Sequence, residues 1–271
     1  MTICGEQERL LNSSALIIRR GANRGGMVAK RLENLSWQEF GELVPKKCET
    51  VILPVGTIEA HGITSLGTDV QISIGIAELI AEDLKAILAP PVWYGVTRTL
   101  YSYPGSLTVS SETFEKYVTE LLFSLLDKGF CRTVVINGHG GHIKEFDSAA
   151  LKLNREKRGK IVIVHWWIYC EDVAKEVYGV PGGHAGVDET AMILALDKKL
   201  VQKKRYKKDM VYSSKKGITA YPGPATIFLQ EEGKGYPDFD EKKAKVFLKK
   251  SAEKIKTGIL EIFKRWEKMD R

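Results

Sequence analysis

The chain has 271 residues, of which 44% are hydrophobic and 28% are charged, and its formal net charge is +7. That length can bury one large core, and the four cysteines form no CxxC pair, which argues against a disulfide-stapled small domain and against a cysteine zinc site. No apolar run is long enough to span a membrane or to form a signal-peptide core, so we expect a cytoplasmic protein with no membrane partner.

The N-terminal part of the chain differs from the rest. Residues 1–26 lack hydrophobic periodicity and end in a glycine-rich stretch, which predicts a loose extension followed by a single domain over 27–271. Met27 is a second candidate for the natural start. Ser36 followed by Glu39 is a capping-box pattern, which predicts a short helix.

Short apolar runs alternate with longer amphipathic segments through the middle of the chain. Ser111 is the predicted N-cap of a helix that Gly129 ends. The alternation predicts an α/β fold with a mostly parallel sheet covered by helices on both faces. The predicted elements are a strand over 50–55, a helix over 70–88, an extended piece over 89–95, a helix over 112–127, a strand over 132–137, a helix over about 144–157 and a strand over 160–167.

All five histidines lie at or just beyond places where strands should end. His61 follows the first predicted strand, and His139 and His142 follow the second in the motif NGHGGH. His165 ends the third, and His184 lies in a loop before another helix. Because ligands bind beyond the carboxyl ends of parallel strands, this placement predicts a functional site there.

Two acidic residues near His61 make this site a candidate metal centre. Glu59 and His61 are two residues apart, so their side chains point the same way in an extended segment, and Asp69 can return to them across a short loop. With His139 they form a mixed oxygen and nitrogen set that suits Zn²⁺, Mn²⁺ or Fe²⁺ better than Ca²⁺ or Mg²⁺. The alternative is a structural role for each, with Asp69 as a helix N-cap.

The positive charge is concentrated near the C-terminus, with nine Lys/Arg in 198–216 and eleven in 241–271. A surface helix with a solvated basic face explains the second segment, so we expect no nucleic-acid partner. The alternative is a nucleic-acid binder that uses 198–216. The helix is predicted by apolar residues at helical spacing, namely Ala244, Phe247, Leu248, Ile255, Ile259, Ile262 and Trp266.

Several separated motifs, in order, resemble the creatininase family between about 50 and 195. They are VILPVGTIEAHG, GTD, YSYPGSLTVSSETFEKY, VVINGHGGH and HAGVDETA. The resemblance implies a three-layer αβα sandwich, usually assembled as a hexamer, and a hydrolase that holds one or two divalent ions. It further implies metal ligands at Glu59, His61, Asp69 and His139, with Asp69 as the bridge, catalytic roles for His184 and Glu189, and a pocket aromatic at Trp166 or Trp167.

The chain also departs from the family pattern. The loop HGITSLGTD lacks a second histidine and a proline that the family commonly has, and Gly141 stands where creatininase has a glutamate ligand. His142, or a group from outside the chain, is therefore a candidate for an additional ligand.

The expected reaction is attack by metal-activated water on a carbonyl of a small cyclic substrate, either an amide or a ketone such as a dehydro-inosose. His184 or Glu189 would then protonate the leaving group, or Glu189 would orient His184. The alternatives are a formamide hydrolase that acts on a pyrimidine nucleotide and an inactive metal-binding protein.

Overall fold

The computed structural model describes residues 30–156, 159–215 and 217–269. The predicted extension over 1–26 and the candidate start at Met27 lie outside them. The strands are β1 (Thr50–Val55), β2 (Ala86–Leu88), β3 (Arg132–Asn137), β4 (Lys160–His165), β5 (Gly183–His184), β6 (Val211–Ser213) and β7 (Ile227–Leu229). The α-helices are α1 (Trp37–Leu43), α2 (Thr68–Ile80), α3 (Ser111–Asp127), α4 (Ile143–Arg155), α5 (Trp166–Tyr169), α6 (Glu171–Tyr178), α7 (Val187–Leu196) and α8 (Glu241–Met269).

The main sheet is parallel throughout, in the order β2-β1-β3-β4. Val55 pairs with Asn137, which in turn pairs with His165, so three strands end side by side. After β1 the chain adds β2 on one side and later crosses to β3 on the other. The strand order therefore reverses between β1 and β3, which is where α/β sheets bind ligands.

Alternating side chains of the strands fill two separate cores. Ile52 and Ile136 pack on one face of the sheet with α2, α6, α7 and α8. Leu53 and Val135 pack on the other face with α3 and α4. All four side chains are fully buried, and each such burial contributes about 1.5–3 kcal/mol to folding. The predicted arrangement of a mostly parallel sheet between two helical layers is confirmed.

The predicted helix over 70–88 is wrong in its last part. The helix α2 ends at Ile80, and Lys85 adopts a left-handed φ of 49°. The next three residues form β2, which pairs with β1. Since β2 and α2 are both buried and apolar, their sequences form one continuous apolar pattern that hides the break.

Two other predicted boundaries also need correction. The strand predicted over 160–167 ends at His165, because Trp166 already begins α5. The N-cap of α3 is Ser110 rather than Ser111, since the Ser110 hydroxyl accepts a hydrogen bond from the Thr113 N–H. The capping box at Ser36 and Glu39 is confirmed.

A second, smaller sheet was not predicted from the sequence. Its order is β5-β7-β6, with β5 antiparallel and β6 parallel to β7. The pairing sets His184 of β5 beside Phe228 of β7. Among the described residues, no helix combines the length and apolarity that crossing a membrane requires.

Candidate metal centre

Six side chains meet at the carboxyl edge of the sheet between β1 and β3. Five of them are buried, and His184 is partly exposed. Asp69 lies in the first turn of α2, whose N-cap is Gly67 without a side-chain cap, so the N-cap alternative for Asp69 is wrong. The six are Glu59 and His61 after β1, Asp69 in α2, His139 after β3, His184 in β5 and Glu189 in α7.

The Asp69 carboxylate lies between two histidines. Its Oδ1 is 2.8 Å from His61 Nε2, and its Oδ2 is 2.9 Å from His139 Nδ1. Glu59 Oε1 is 3.2 Å from His139 Nδ1, and Glu189 Oε2 is 3.6 Å from His61 Nε2. Of three potential metal-binding groups in the described part of the chain, two share Asp69: one adds His61 and Glu189, and the other adds Glu59 and His139. The third joins Glu59, His61 and His184.

Three of the histidines are oriented by backbone carbonyls. A carbonyl only accepts hydrogen bonds, so the ring nitrogen that contacts it carries a hydrogen. In the neutral imidazole, the other nitrogen then presents a lone pair, and in each case it faces a carboxylate. The contacts join His61 Nδ1 to Glu59 O (3.0 Å), His139 Nε2 to Val96 O (2.9 Å) and His184 Nε2 to Ala60 O (2.8 Å).

This donor arrangement fits a divalent cation. A lone pair that faces a carboxylate at these distances is repelled unless a proton or a metal ion lies between them. His61 Nε2 and Asp69 Oδ2 are buried without a hydrogen-bond partner, although each lies within an ion-pair distance. Imidazoles whose second nitrogen donates to a carbonyl are typical of metal ligands, and carboxylates complete the set that Zn²⁺ or Mn²⁺ prefers.

The pKa shifts indicate the same need for positive charge. Burial alone would lower the pKa of His61, but the charges of Asp69 and Glu189 outweigh it and raise the pKa to about 10. Burial raises the pKa of Glu189 to about 8. By contrast, burial and the neighbouring His61 lower the pKa of His184 to about 4, so this ring is neutral at pH 7.

Glycines allow the backbone to approach this cluster closely. A Cβ on Gly138 would lie 2.2 Å from the Asp69 carbonyl oxygen, and a Cβ on Gly56 would lie 2.6 Å from Asp69 Cβ. The start of α2 therefore packs directly on the ends of β1 and β3. A Cβ on Gly141 would lie 2.4 Å from the Val96 oxygen, so this backbone leaves no room for a side chain at position 141.

His142 and the two tryptophans lie around the cluster rather than in it. His142 Nε2 accepts a hydrogen bond of 3.1 Å from the Val96 N–H, and its ring stacks on Phe114. Among the described residues, His142 belongs to none of the groups of potential metal ligands. Trp166 is fully buried in the core, whereas Trp167 lines the cleft above the cluster.

The cleft has a volume of about 450 Å³, and several of its residues were missed by the sequence reasoning. Asp188 lies in the motif HAGVDETA beside Glu189, accepts a hydrogen bond from the Gly183 N–H, and has its pKa raised to about 6 by burial. Arg98 and Phe228 belong to no recognised motif. Phe228 reaches the cleft through the second sheet, so no sequence signal could have identified it.

Comparison with known proteins gives a consistent family match. The family described as creatininase, creatinine amidohydrolase, matches residues 33–255. A mycofactocin precursor peptide peptidase of Mycolicibacterium smegmatis is 31% identical over 53% of this chain and 56% of its own length. A 3-dehydro-scyllo-inosose hydrolase of Thermotoga maritima is 29% identical over 56% of this chain and 51% of its own length. The alignment thus spans about half the length of these two relatives.

A creatinine amidohydrolase of Pseudomonas putida is 27% identical over 62% of this chain and 72% of its own length. Solved structures extend the match to most of the fold. A crystal structure of creatininase superimposes with a TM-score of 0.73 at 23% identity and covers 88% of this chain and 99% of its own. A manganese form of creatininase gives a TM-score of 0.71 at 23% identity, with coverages of 87% and 99%.

Proposed function

The chain belongs to the creatininase family of hydrolases, and we propose that it is a divalent-metal-dependent hydrolase that cleaves a small amide or a related ring carbonyl compound. The observation that carries this proposal is the placement of Asp69 between two histidines whose remaining nitrogens are fixed by backbone carbonyls. Buried carboxylates in such a cluster are costly without a compensating cation. Without a metal ion, protons on His61 and His139 would have to supply that positive charge.

Two ions can be held by the two groups that share Asp69. The proposed ligands are His61 and Glu189 for one ion and Glu59 and His139 for the other, with Asp69 common to both. When bound, such ions lower the pKa of water and polarise a carbonyl group. Glu189 supplies a ligand in this proposal, which accounts for the departure at Gly141. Its Oε2 is also fixed by a 2.6 Å hydrogen bond from the Ala185 N–H.

His184 is the proposed proton-transfer residue. Its Nε2 donates to the Ala60 carbonyl, so Nδ1 is the nitrogen that can accept a proton. Its side chain is 20% exposed and lines the cleft, and its lowered pKa keeps it in the basic form at pH 7. The free Nδ1 is placed in the cleft to take a proton from a water molecule and return it to a leaving group, a step typically worth about 10²–10⁴-fold.

The substrate class is proposed from the relatives and from the size of the cleft. The names of the relatives include hydrolases of a cyclic amide, an oxidised inositol and a peptide, so the shared chemistry is attack on a carbonyl carbon. A cleft of about 450 Å³ suits a small molecule or the end of a peptide better than a folded protein. We also propose a homo-oligomeric assembly, which analytical ultracentrifugation would test.

The direct test is a substrate panel with the metal-loaded protein. The panel contains creatinine, a formamidopyrimidine nucleotide, a dehydro-inosose and a short peptide amide. We expect turnover of at least one compound by the native protein, and His184→Ala should keep its metal while losing turnover by at least about 100-fold. A protein that binds no divalent metal would contradict the proposal, and a metal-binding protein that turns over none of these carbonyl compounds would favour an inactive metal-binding protein.

A further inference from the structure

Arg98 is the cationic side chain of the cleft. It follows β2 in the loop that leads to α3, and its side chain is 46% exposed. Within the described part of the chain, Arg98 is the one lysine or arginine among the residues that line the cleft with Glu59, His139 and His184. Arg98 therefore lines the same cleft as the candidate metal centre.

A buried carboxylate fixes this guanidinium. Arg98 Nη2 donates a 2.9 Å hydrogen bond to Glu145 Oε1, and Glu145 is only 2% exposed. The Ser111 hydroxyl donates to the same oxygen. Since α4 carries Glu145 and α3 carries Ser111, two packed helices hold the anchor in place. This arrangement orients the arginine more strongly than an exposed ion pair would.

Most of the hydrogen-bonding capacity of Arg98 is unused. A guanidinium group has five N–H donors in a planar fork, and the anchor takes one of them. Within the described residues, no hydrogen bond engages Nη1 or Nε. The fork geometry matches a carboxylate, which it can bind through two parallel hydrogen bonds.

We propose that Arg98 binds a carboxylate of the substrate, so that the protein is selective for small carbonyl compounds that carry a carboxylate group. This inference rests on the proposed hydrolase function and adds the substrate's charge to it. Two divalent ions would offset the four carboxylates that line the cleft, Glu59, Asp69, Asp188 and Glu189, so the loaded cleft would not repel an anion. The rings of Trp167 and Phe228 supply apolar walls for the rest of the molecule.

Hydroxamates provide probes that do not depend on turnover. A hydroxamate group binds an active-site metal ion, so the monohydroxamate of succinic acid places a carboxylate at a short distance from the centre. Its neutral primary amide and its phosphonate analogue are the matched probes. Titration of the metal-loaded protein by calorimetry should give a dissociation constant for the acid about 10- to 100-fold below that of the amide, as expected for a charge-assisted hydrogen bond.

Substitutions test whether Arg98 causes the preference for the acid probe over the amide probe. Arg98→Gln should remove the 10- to 100-fold preference for the acid and leave affinity for the neutral amide within about twofold. Arg98→Lys, which retains the charge without the fork, and Glu145→Gln, which weakens the anchor, should each lose part of the preference. Arg265→Gln is the matched control, because Arg265 pairs with Glu261 on α8 and does not line the cleft.

Each outcome decides a different claim. If the native protein binds both succinyl probes equally, or if Arg98→Gln keeps the preference, the role of Arg98 is wrong while the metal site stands. Tighter binding of the phosphonate than of the acid would overturn the carboxylate assignment. If the protein binds neither metal nor any hydroxamate, the proposed hydrolase function fails together with the inference.

Discussion

Two buried histidines lie three residues apart and are built into the fold in opposite ways. His139 Nε2 donates to the Val96 carbonyl, whereas His142 Nε2 accepts from the N–H of the same residue. The other nitrogen of His139 faces Glu59 and Asp69. His142 instead packs against aromatic rings, with its ring centroid 4.0 Å from that of Phe114.

The Val96 backbone group that each histidine contacts sets which of its ring nitrogens keeps a free lone pair. Burial alone would lower the pKa of His139, but the charges of Glu59 and Asp69 raise it well above its usual range. Burial and the nearby His139 lower the pKa of His142 well below that range. The carboxylates around His139 therefore favour a positive charge at its ring, from a proton or a cation, whereas His142 remains a neutral part of the core.

Of the changes considered, removal of the Asp69 carboxylate should reduce metal affinity most. Asp69→Asn keeps the size of the side chain but removes the charge that both ligand groups share, so we expect a loss of metal affinity greater than about 100-fold. Metal content measured by mass spectrometry checks this. Asp188→Asn is the control, because Asp188 is also buried but belongs to neither group, and it should keep its metal.

Metal affinity should fall steeply as the pH falls. Without metal, the raised pKa values keep His61 and His139 protonated at pH 7, and metal binding must displace those protons. Below these pKa values, each displaced proton weakens binding by about tenfold for each unit of pH. Calorimetry with Mn²⁺ in buffers of different ionisation enthalpy should detect this release. Binding that releases no proton would contradict the assignment.

An added methyl group at Gly138 should disturb the site to a smaller degree. Its Cβ would lie 2.2 Å from the Asp69 carbonyl oxygen, so α2 must shift and carry the Asp69 carboxylate with it. We expect Gly138→Ala to weaken metal binding by about tenfold or more, comparable with loss of an outer contact to a ligand. A Cβ on Gly41 would have no atom within 4 Å, so Gly41→Ala is the control and should leave metal binding unchanged.

Replacement of His142 should leave the metal content unchanged and reduce only stability. His142→Phe keeps a ring against Phe114 but leaves the buried Val96 N–H without an acceptor, which costs about 1–3 kcal/mol. Urea denaturation of the metal-free protein measures this loss. If His142→Phe lost its metal as completely as His139→Phe should, the distinction between the two histidines would be wrong.

The sequence predicted the central strands and the family correctly. The bounds of β1 and β3 match the prediction because both strands are continuous apolar runs between clear turn signals. The family membership inferred from the separated motifs is confirmed by the match over 33–255. The carboxyl ends of β1 and β3 bring Glu59, His61 and His139 together, as the rule for parallel sheets predicts.

The other side of the cleft could not be predicted. The strands β5, β6 and β7 have only two or three residues each, too few to form a recognisable pattern. The anchor of Arg98 depends on Glu145, which lies 47 residues away on another element. His142 occupies a position in the motif next to His139 that suggested a ligand. The structure distinguishes the two by the direction of the hydrogen bond to Val96 and by the carboxylates beside His139.

The central claim is that a buried cluster of carboxylates and imidazoles holds a divalent ion. Anomalous X-ray diffraction from crystals of the zinc-loaded protein, recorded on both sides of the zinc absorption edge, tests it directly. We predict one or two peaks, each within about 2.0–2.2 Å of an Asp69 oxygen and of either His61 Nε2 or His139 Nδ1. Zinc bound only elsewhere, or bound through His142, would contradict it.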